Sequence, residues 1–286
     1  MALLLTLLHG IWAIQPEAIH AYEPVIQELI KNPSADLSKL LPKRRAFNLN
    51  IGSANTPLTA PMEKGGFSLA PKNSIAVISL SGPVMKDDWC GDPGTKTMSA
   101  LMSEADNNPN IIGQILILDT PGGAVDGTPN FADNIKSLNK PVVGLIDGMC
   151  CSAGMWIVSA TDHIMSTHDI NEVGSIGTMC SMRDYSGHDE QYGIKKHFIY
   201  ATQSTDKNKP YHDALKGEYG PMIERLDQMN DMFTSAIKKN RWNKGVTKEV
   251  LTGKTYLSKD AISKGLVDSI GSLSDAVNKV KQLSKS

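Results

Sequence analysis

The stretch Ile111–Gly123, IIGQILILDTPGG, decides the fold class, because a nearly continuous apolar run ends there in a Pro-Gly-Gly turn. Two similar runs lie on either side of it, at residues 75–84 (IAVISLSGPV) and 141–149 (PVVGLIDGM). Between these runs, residues 97–109 and 130–140 have the apolar spacing of amphipathic helices. Uninterrupted apolar strands that alternate with helices indicate a parallel sheet covered on both faces. The sequence therefore predicts an α/β fold with right-handed β-α-β connections.

The composition is that of an ordinary globular protein. Its 286 residues are 41% hydrophobic, which is enough to bury a core. Lysine plus arginine number 29 against 30 acidic residues, and the formal net charge of -1 argues against nucleic acid as a partner. Four cysteines without metal-ligand spacing predict reduced thiols and a cytoplasmic protein. No metal or other cofactor is predicted.

Three regions are predicted along the chain. Residues 1–72 form an N-terminal helical arm and linker, residues 73–275 form the main domain, and residues 276–286 form a C-terminal tail. The first fourteen residues, MALLLTLLHGIWAI, lack a basic leader and are too short to span a bilayer, so they predict a buried or partner-docking helix. Proline, glycine, serine and asparagine accumulate after residue 32, which favours a linker there.

Two loops at predicted strand ends carry the candidate chemistry, because ligands collect at the carboxyl ends of strands in open α/β sheets. The first loop contains Gly122 and Gly123, whose amides are not covered by side chains and are suited to hold an oxyanion. The second, GMCCSAGMWIVSA at 148–160, places Ser152 between a strand and a helix as a candidate nucleophile. The same position suits a serine that caps the helix, and Cys151 is a rival nucleophile.

Three motifs occur in order: DTPGGAVDG (119–127), GMCCSAGMWIVSATD (148–162) and VGSIGTM (173–179). Together they resemble the core motifs of the signal peptide peptidase A family of Ser/Lys proteases, in particular its phage and prophage branch of head maturation proteases. The opening IWAIQPEAIHAY (11–22) resembles the N-terminal arm of that branch. The resemblance implies a Clp/crotonase-like fold of repeated β-β-α units, assembled as a homo-oligomer.

The resemblance also implies roles for individual residues. Ser152 takes the position of the nucleophile, and the amides of Gly122, Gly123 and Ala153 take that of the oxyanion hole. Ser175, in the GSIG of the third motif, takes the position that orients the base. No metal ion belongs to this arrangement.

A serine hydroxyl needs a base to accept its proton, and the family uses a neutral lysine for this purpose. In the lysine-rich stretch 192–215, an ungapped comparison places Thr205 where that lysine is expected. A short insertion would bring Lys207 to the site, so Lys207 is the predicted base, with Lys209 and Lys196 as alternatives. No histidine falls in a motif typical of a Ser-His-Asp triad.

The resemblance therefore predicts a serine endopeptidase that processes capsid or scaffold proteins during phage head maturation. Its predicted partners are polypeptide substrates and further copies of itself, without a membrane span, in the host cytoplasm or within a phage prohead. A peptidase that degrades signal peptides and a catalytically inactive homologue are the alternatives within the family. Acyl-CoA hydratases and isomerases share the implied fold, but they place acids rather than a small-flanked serine in the site.

Overall fold

The computed structural model describes residues 11–14, 31–32, 50–53, 67, 70–88 and 92–285. The strands within these ranges are β1 (Ile11–Ile14), β2 (Asn50–Ser53), β3 (Ser74–Ser81), β4 (Ile111–Thr120), β5 (Gly122–Ala124), β6 (Val142–Cys151), β7 (His163–Ser166), β8 (Glu172–Gly174), β9 (Met179–Cys180), β10 (Thr255–Leu257) and β11 (Ser269–Ile270). The helices are α1 (Thr95–Asn107), α2 (Thr128–Ser137), α3 (Ala153–Ser159), α4 (Ser186–Gln191), α5 (Lys209–Leu215), α6 (Gly220–Arg241), α7 (Ser258–Ser263) and α8 (Leu273–Leu283).

The main sheet is built on three neighbouring parallel strands, β3, β4 and β6. Strand β6 then pairs in parallel with β7 along its first half and with β8 along its last three residues. Strands β2 and β10 are antiparallel to β3 and β8, and β11 is parallel to β7. A second, smaller sheet has the order β5-β1-β9, and β1 is antiparallel to both of its neighbours.

Helices cover the main sheet on both faces. On one face, α1, α2 and α3 contribute the buried side chains of Met98, Phe131 and Trp156 to the larger core. On the other face, α8 packs Ala276 and Val280 against apolar residues of β3, β4 and β6. Burial from both sides explains why these strands are apolar throughout. The predicted α/β class is confirmed, and β4, β5 and α2 form one strand-strand-helix unit of the expected kind.

The C-terminal segment is packed on the sheet. A capping box begins helix α8: the Ser272 hydroxyl accepts from the Asp275 amide, and the Asp275 carboxylate accepts from the Ser272 amide. The predicted boundary between residues 275 and 276 falls inside this helix, which continues to Leu283. Its apolar residues four positions apart, Ala276 and Val280, are fully buried, so the stretch expected as a tail contributes to the core.

Two short strands come from the predicted N-terminal arm. Strand β1 lies in the stretch predicted as a helix, and that prediction is wrong for these four residues. Their backbone groups are satisfied by the edges of two other strands instead of within a helix. Strand β2, in the predicted linker, adds to the main sheet beside β3. Apart from residues 31–32, the remainder of the arm up to residue 66 lies outside the described residues, and within the described ranges no helix is long and apolar enough to cross a membrane.

A buried ion pair fastens the end of helix α6 to the segment that precedes β11. Arg241 is 2% exposed and donates from Nη1 and Nη2 to the two carboxylate oxygens of Asp268, at 3.0 and 2.9 Å. The Ile164 amide donates to the same carboxylate at 2.8 Å. Farther along α6, the Phe233 ring stacks on Trp156 of helix α3, with centroids 4.7 Å apart. These contacts hold α6 beside the helix that follows Ser152.

Candidate active site

Ser152 stands at the junction between strand β6 and helix α3. Its backbone has φ 52° and ψ -114°, and a positive φ is uncommon for a residue other than glycine. Its amide donates to the Gly174 carbonyl at 2.8 Å, and its carbonyl accepts from the Trp156 amide at 3.1 Å. The side chain makes no capping hydrogen bond, and its Oγ lies 3.4 Å from the Gly177 carbonyl oxygen. The fold thus holds the backbone of Ser152 firmly while leaving its hydroxyl only one long, weak contact.

The loop that follows strand β8 lies against Ser152. Cys151 pairs with Gly174 in the sheet, so the third motif passes directly beside the serine. Ser175 also has a φ of 52°, its amide donates to the Lys254 carbonyl at 2.7 Å, and it is buried. The structure therefore brings the second and third motifs together, with Ser152 and Ser175 on adjoining segments.

The Gly-Gly loop reaches the same region from the end of strand β4. The Gly122 amide donates to Thr120 Oγ1 at 3.1 Å, so it is engaged inside its own loop. Gly123 lies so close to Val84 that a Cβ there would collide with the Val84 carbonyl oxygen. The Val84 amide donates to the Gly122 carbonyl at 2.8 Å, and the Val84 carbonyl accepts from the Ala124 amide at 2.9 Å, so Val84 is hydrogen-bonded to the residues on either side of Gly123. Because successive residues of a strand turn their polar groups to opposite sides, the Gly123 N–H faces away from Val84, toward β1.

Helix α3 begins close to this loop. Ala153 is its first residue and is fully buried, and the first amides of a helix have no acceptor within the helix. A Cβ at Gly154 would lie 2.6 Å from Thr120 Cγ2, so only a glycine lets the helix pack this tightly on the end of β4. Helix α3 also packs on β5. The Ala153 amide and the Gly-Gly loop are thus parts of one compact arrangement.

The three candidate lysines lie in an exposed segment that leads into helix α5. Lys209 Nζ pairs with Asp213 at 2.5 Å, and Lys196 Nζ pairs with Asp189 at 2.5 Å. In each case the hydrogen bond to the carboxylate raises the pKa of the lysine, which favours the charged form and opposes a role as base. Lys207 is exposed, and its side chain makes no ion pair or hydrogen bond with any other described residue. Within the described part of the chain, none of the three is hydrogen-bonded to Ser152.

The two cysteines that precede Ser152, including the rival nucleophile Cys151, are buried. Cys150 and Cys151 are 0% exposed, and burial raises the pKa of the Cys150 thiol well above its ordinary value, so it stays protonated. The described histidines lie elsewhere, and His163, for example, contacts Asp268 and Ser269. Among the described residues, no cluster of three or more histidine, cysteine, aspartate or glutamate side chains is arranged to hold a metal ion.

A cavity of about 420 Å³ is lined by residues 175–179, among them Gly177, whose carbonyl oxygen contacts the Ser152 hydroxyl. Ser152 itself is not part of the lining. Its other walls come from helix α6 and from residues 251–253. Within the wall, Thr178 Oγ1 donates to the Leu226 carbonyl at 3.0 Å, and Asn230 Oδ1 is buried without a hydrogen-bond partner among the described residues. Sequence reasoning did not assign any part of α6 to the site. No short motif marks these wall residues.

Several known proteins are similar to this chain. A family model described as Peptidase family S49 matches residues 134–286. The chain is 28% identical over 215 residues to Capsid assembly protease C of Escherichia phage lambda, covering 72% of this chain and 48% of that protein. It is 30% identical over 218 residues to Head-tail preconnector protein GP5 of Enterobacteria phage P21, and the match covers 72% of this chain and 42% of that protein. It is 26% identical over 223 residues to Protease 4 of Haemophilus influenzae, and the match covers 74% of this chain and 35% of that protein. The chain thus spans about a third to a half of the length of these three relatives.

Proposed function

Because the chain belongs to peptidase family S49, as its motifs predicted, we propose that it is a serine-type endopeptidase with Ser152 as its nucleophile. The observation that carries this proposal is the conformation of Ser152, a strained serine at a strand–helix junction whose hydroxyl does not cap the helix. A strained backbone conformation of this kind costs roughly 1–3 kcal/mol, and such residues cluster at active sites. A purely structural cap would not need the strain, and its side-chain oxygen would accept from an amide of the helix.

In the proposed reaction, Ser152 Oγ attacks the scissile carbonyl carbon and passes its proton to a base. The amides of Gly123 and Ala153 support the oxyanion, because neither has an acceptor within its own element. Collapse of this intermediate breaks the C–N bond, and the leaving amine takes the proton from the base. Water then hydrolyses the acyl-enzyme by the same route. Gly122, whose amide is held by Thr120, keeps the loop in shape.

We assign the base to Lys207, with Ser175 as the residue that orients it. The amines of Lys196 and Lys209 are each paired with a carboxylate, whereas the Lys207 side chain makes no ion pair with a described residue. A lysine acts as a base only when neutral, and burial favours the neutral form. Lys207 is exposed in the single chain, so we propose a homo-oligomer in which a second copy covers it and receives its amine beside that copy's Ser152. The exposed Ile199, at 92%, lies in the same segment and suits such a contact.

The proposed substrates are capsid or scaffold proteins, cleaved in the host cytoplasm or within a prohead. Similarity to a protein named for capsid assembly and to another named as a head-tail preconnector supports this choice. Both matches cover 72% of this chain. A continuous match of that length must include residues 119–179, which carry the three motifs.

Cleavage of β-casein, used as a general polypeptide probe, tests the mechanism. We expect Ser152→Ala and Lys207→Ala each to lose at least about a hundredfold in rate, and Lys209→Ala to keep the wild-type rate. If the base acts in a neighbouring copy, an equal mixture of Ser152→Ala and Lys207→Ala regains part of the activity. Undiminished cleavage by Ser152→Ala would overturn the proposal, and undiminished cleavage by Lys207→Ala would overturn the assignment of the base.

A further inference from the structure

Strand β1 occupies the centre of the small sheet that borders the candidate active site. Its residues pair with β5 in the register Trp12 to Ala124, Ala13 to Gly123 and Ile14 to Gly122. On its other edge, Ile11 pairs with Cys180 and Trp12 with Met179. Because β1 is antiparallel to both neighbours, β5 and β9 run in the same direction and leave a slot between them that is one strand wide.

This slot lies at Ser152. One wall, β5, packs against helix α3, which Ser152 precedes directly. The other wall, β9, begins two residues after Gly177, whose carbonyl oxygen contacts the Ser152 hydroxyl. The polar groups of Gly123 face β1, where its register partner is Ala13. The Ala13 carbonyl is therefore presented to the amide that the proposed function uses for the oxyanion.

An extended polypeptide that binds in this slot would use the same backbone groups. Addition of a strand to exposed sheet edges is a recurrent way to hold a peptide, since main-chain hydrogen bonds supply affinity whatever the side chains. The walls of the slot are already paired on both sides by residues 11–14 of the chain itself. A substrate strand and β1 cannot occupy the slot together.

We propose that residues 11–14 are a built-in pseudosubstrate, which blocks the active site until β1 leaves the slot between β5 and β9. This inference rests on the proposed function, because the blocked site is the one that contains Ser152. The rate of the intact chain is then the rate of the open site multiplied by the fraction of time that the slot is empty. Partners or conditions that draw the arm away would activate the enzyme.

The test compares the full-length wild type with Ala13→Pro and Ala13→Gly. Proline at position 13 removes the N–H that faces Gly123, whereas glycine keeps it and serves as the matched control. Two readouts are taken on each protein: hydrogen exchange of the backbone amides of Gly123 and of residues 179–180, and the rate at which a fluorophosphonate labels Ser152. Thermal unfolding midpoints check that the main domain stays folded in each variant.

We expect Ala13→Pro to exchange faster at both walls and to be labelled about tenfold faster, as loss of one or two backbone hydrogen bonds allows. Ala13→Gly keeps the N–H and should change both readouts by only about two- to fivefold, since glycine within a strand costs roughly 0.5–1 kcal/mol relative to alanine. Unchanged exchange at the walls in Ala13→Pro, or faster exchange with unchanged labelling, would overturn the pseudosubstrate role. If exchange is faster but no variant is labelled at Ser152, the proposed function fails and the inhibitory role falls with it, while the exchange data still place β1 in the slot.

Discussion

Replacing Asp268 with asparagine tests the buried ion pair that fastens helix α6. The Asp268 side chain is 5% exposed and accepts from Arg241, from the Ile164 amide and from Lys244 Nζ at 2.9 Å. Lys244 is 45% exposed, so water solvates its charge once the carboxylate is gone. Arg241 is 2% exposed and would keep a buried charge without a counter-ion. Removal of one partner from a buried pair costs roughly 3–5 kcal/mol, and we expect the low end, about 3 kcal/mol, because asparagine retains one acceptor oxygen.

Chemical denaturation in urea measures this loss as a lower transition midpoint at unchanged slope. The matched control is Asp87→Asn, which breaks the exposed pair with Lys96, whose partners are 72% and 63% exposed. An exposed pair of this kind contributes about 0–1 kcal/mol, so the control should remain close to the wild type. A loss of less than about 1 kcal/mol in Asp268→Asn would refute the reasoning that Arg241 depends on this carboxylate for its counter-charge.

The same variant carries a pH signature. Burial alone would raise the pKa of Asp268, but hydrogen bonds from Arg241 and the Ile164 amide, with the Arg241 charge, lower it well below its usual range. A carboxyl whose pKa is lower in the folded state contributes stability above about pH 4, and this contribution is lost as the pH falls through the folded-state pKa. The stability gap between wild type and Asp268→Asn should therefore be smaller at about pH 3 than at about pH 7. An equal gap at both pH values would show that the carboxylate charge is not responsible.

Three further outcomes follow from the packing around Ser152. Gly154→Ala should lower the free energy of unfolding by about 1–3 kcal/mol, because the added Cβ would lie 2.6 Å from Thr120 Cγ2. An unchanged free energy of unfolding would mean that helix α3 can shift to make room. Phe233→Ala should cost about 3–5 kcal/mol, because a fully buried ring stacked on Trp156 is removed, and a loss under 1 kcal/mol would contradict that packing. Cys150 should resist iodoacetamide in the native protein and react after unfolding, because burial raises the pKa of its thiol. Mass spectrometry detects the adduct, and alkylation of Cys150 in the native protein would contradict this expectation.

The long apolar strands and the position of the Pro-Gly-Gly turn after β4 were predictable from local residue patterns. Ile111–Thr120 and Val142–Cys151 are buried from both faces, which the continuous apolar runs indicate directly. The need for glycine at position 123, however, has its cause in Val84, nearly forty positions earlier in the chain. The motif predicted the residue, and only the fold supplies the reason.

Long-range pairings were beyond the sequence. Residues 11–14 have no apolar pattern that distinguishes a strand from the end of a helix, and their conformation is set by the free edges of β5 and β9. The Arg241–Asp268 pair likewise joins residues whose surroundings in the sequence are ordinary charged positions. The role of Lys207 as the base stays a prediction. Lys207 lies in an exposed segment, and in the proposed homo-oligomer its surroundings would be set by a second copy of the chain.

The central claim is that Ser152 is the nucleophile, and the most direct measurement is the mass of the protein after exhaustive reaction with a fluorophosphonate, followed by mapping of the modified peptide. We expect one adduct per chain, on Ser152, and none on the Ser152→Ala variant under the same conditions. A specific adduct on another residue, or equal modification of Ser152→Ala, would show that Ser152 is not the nucleophile.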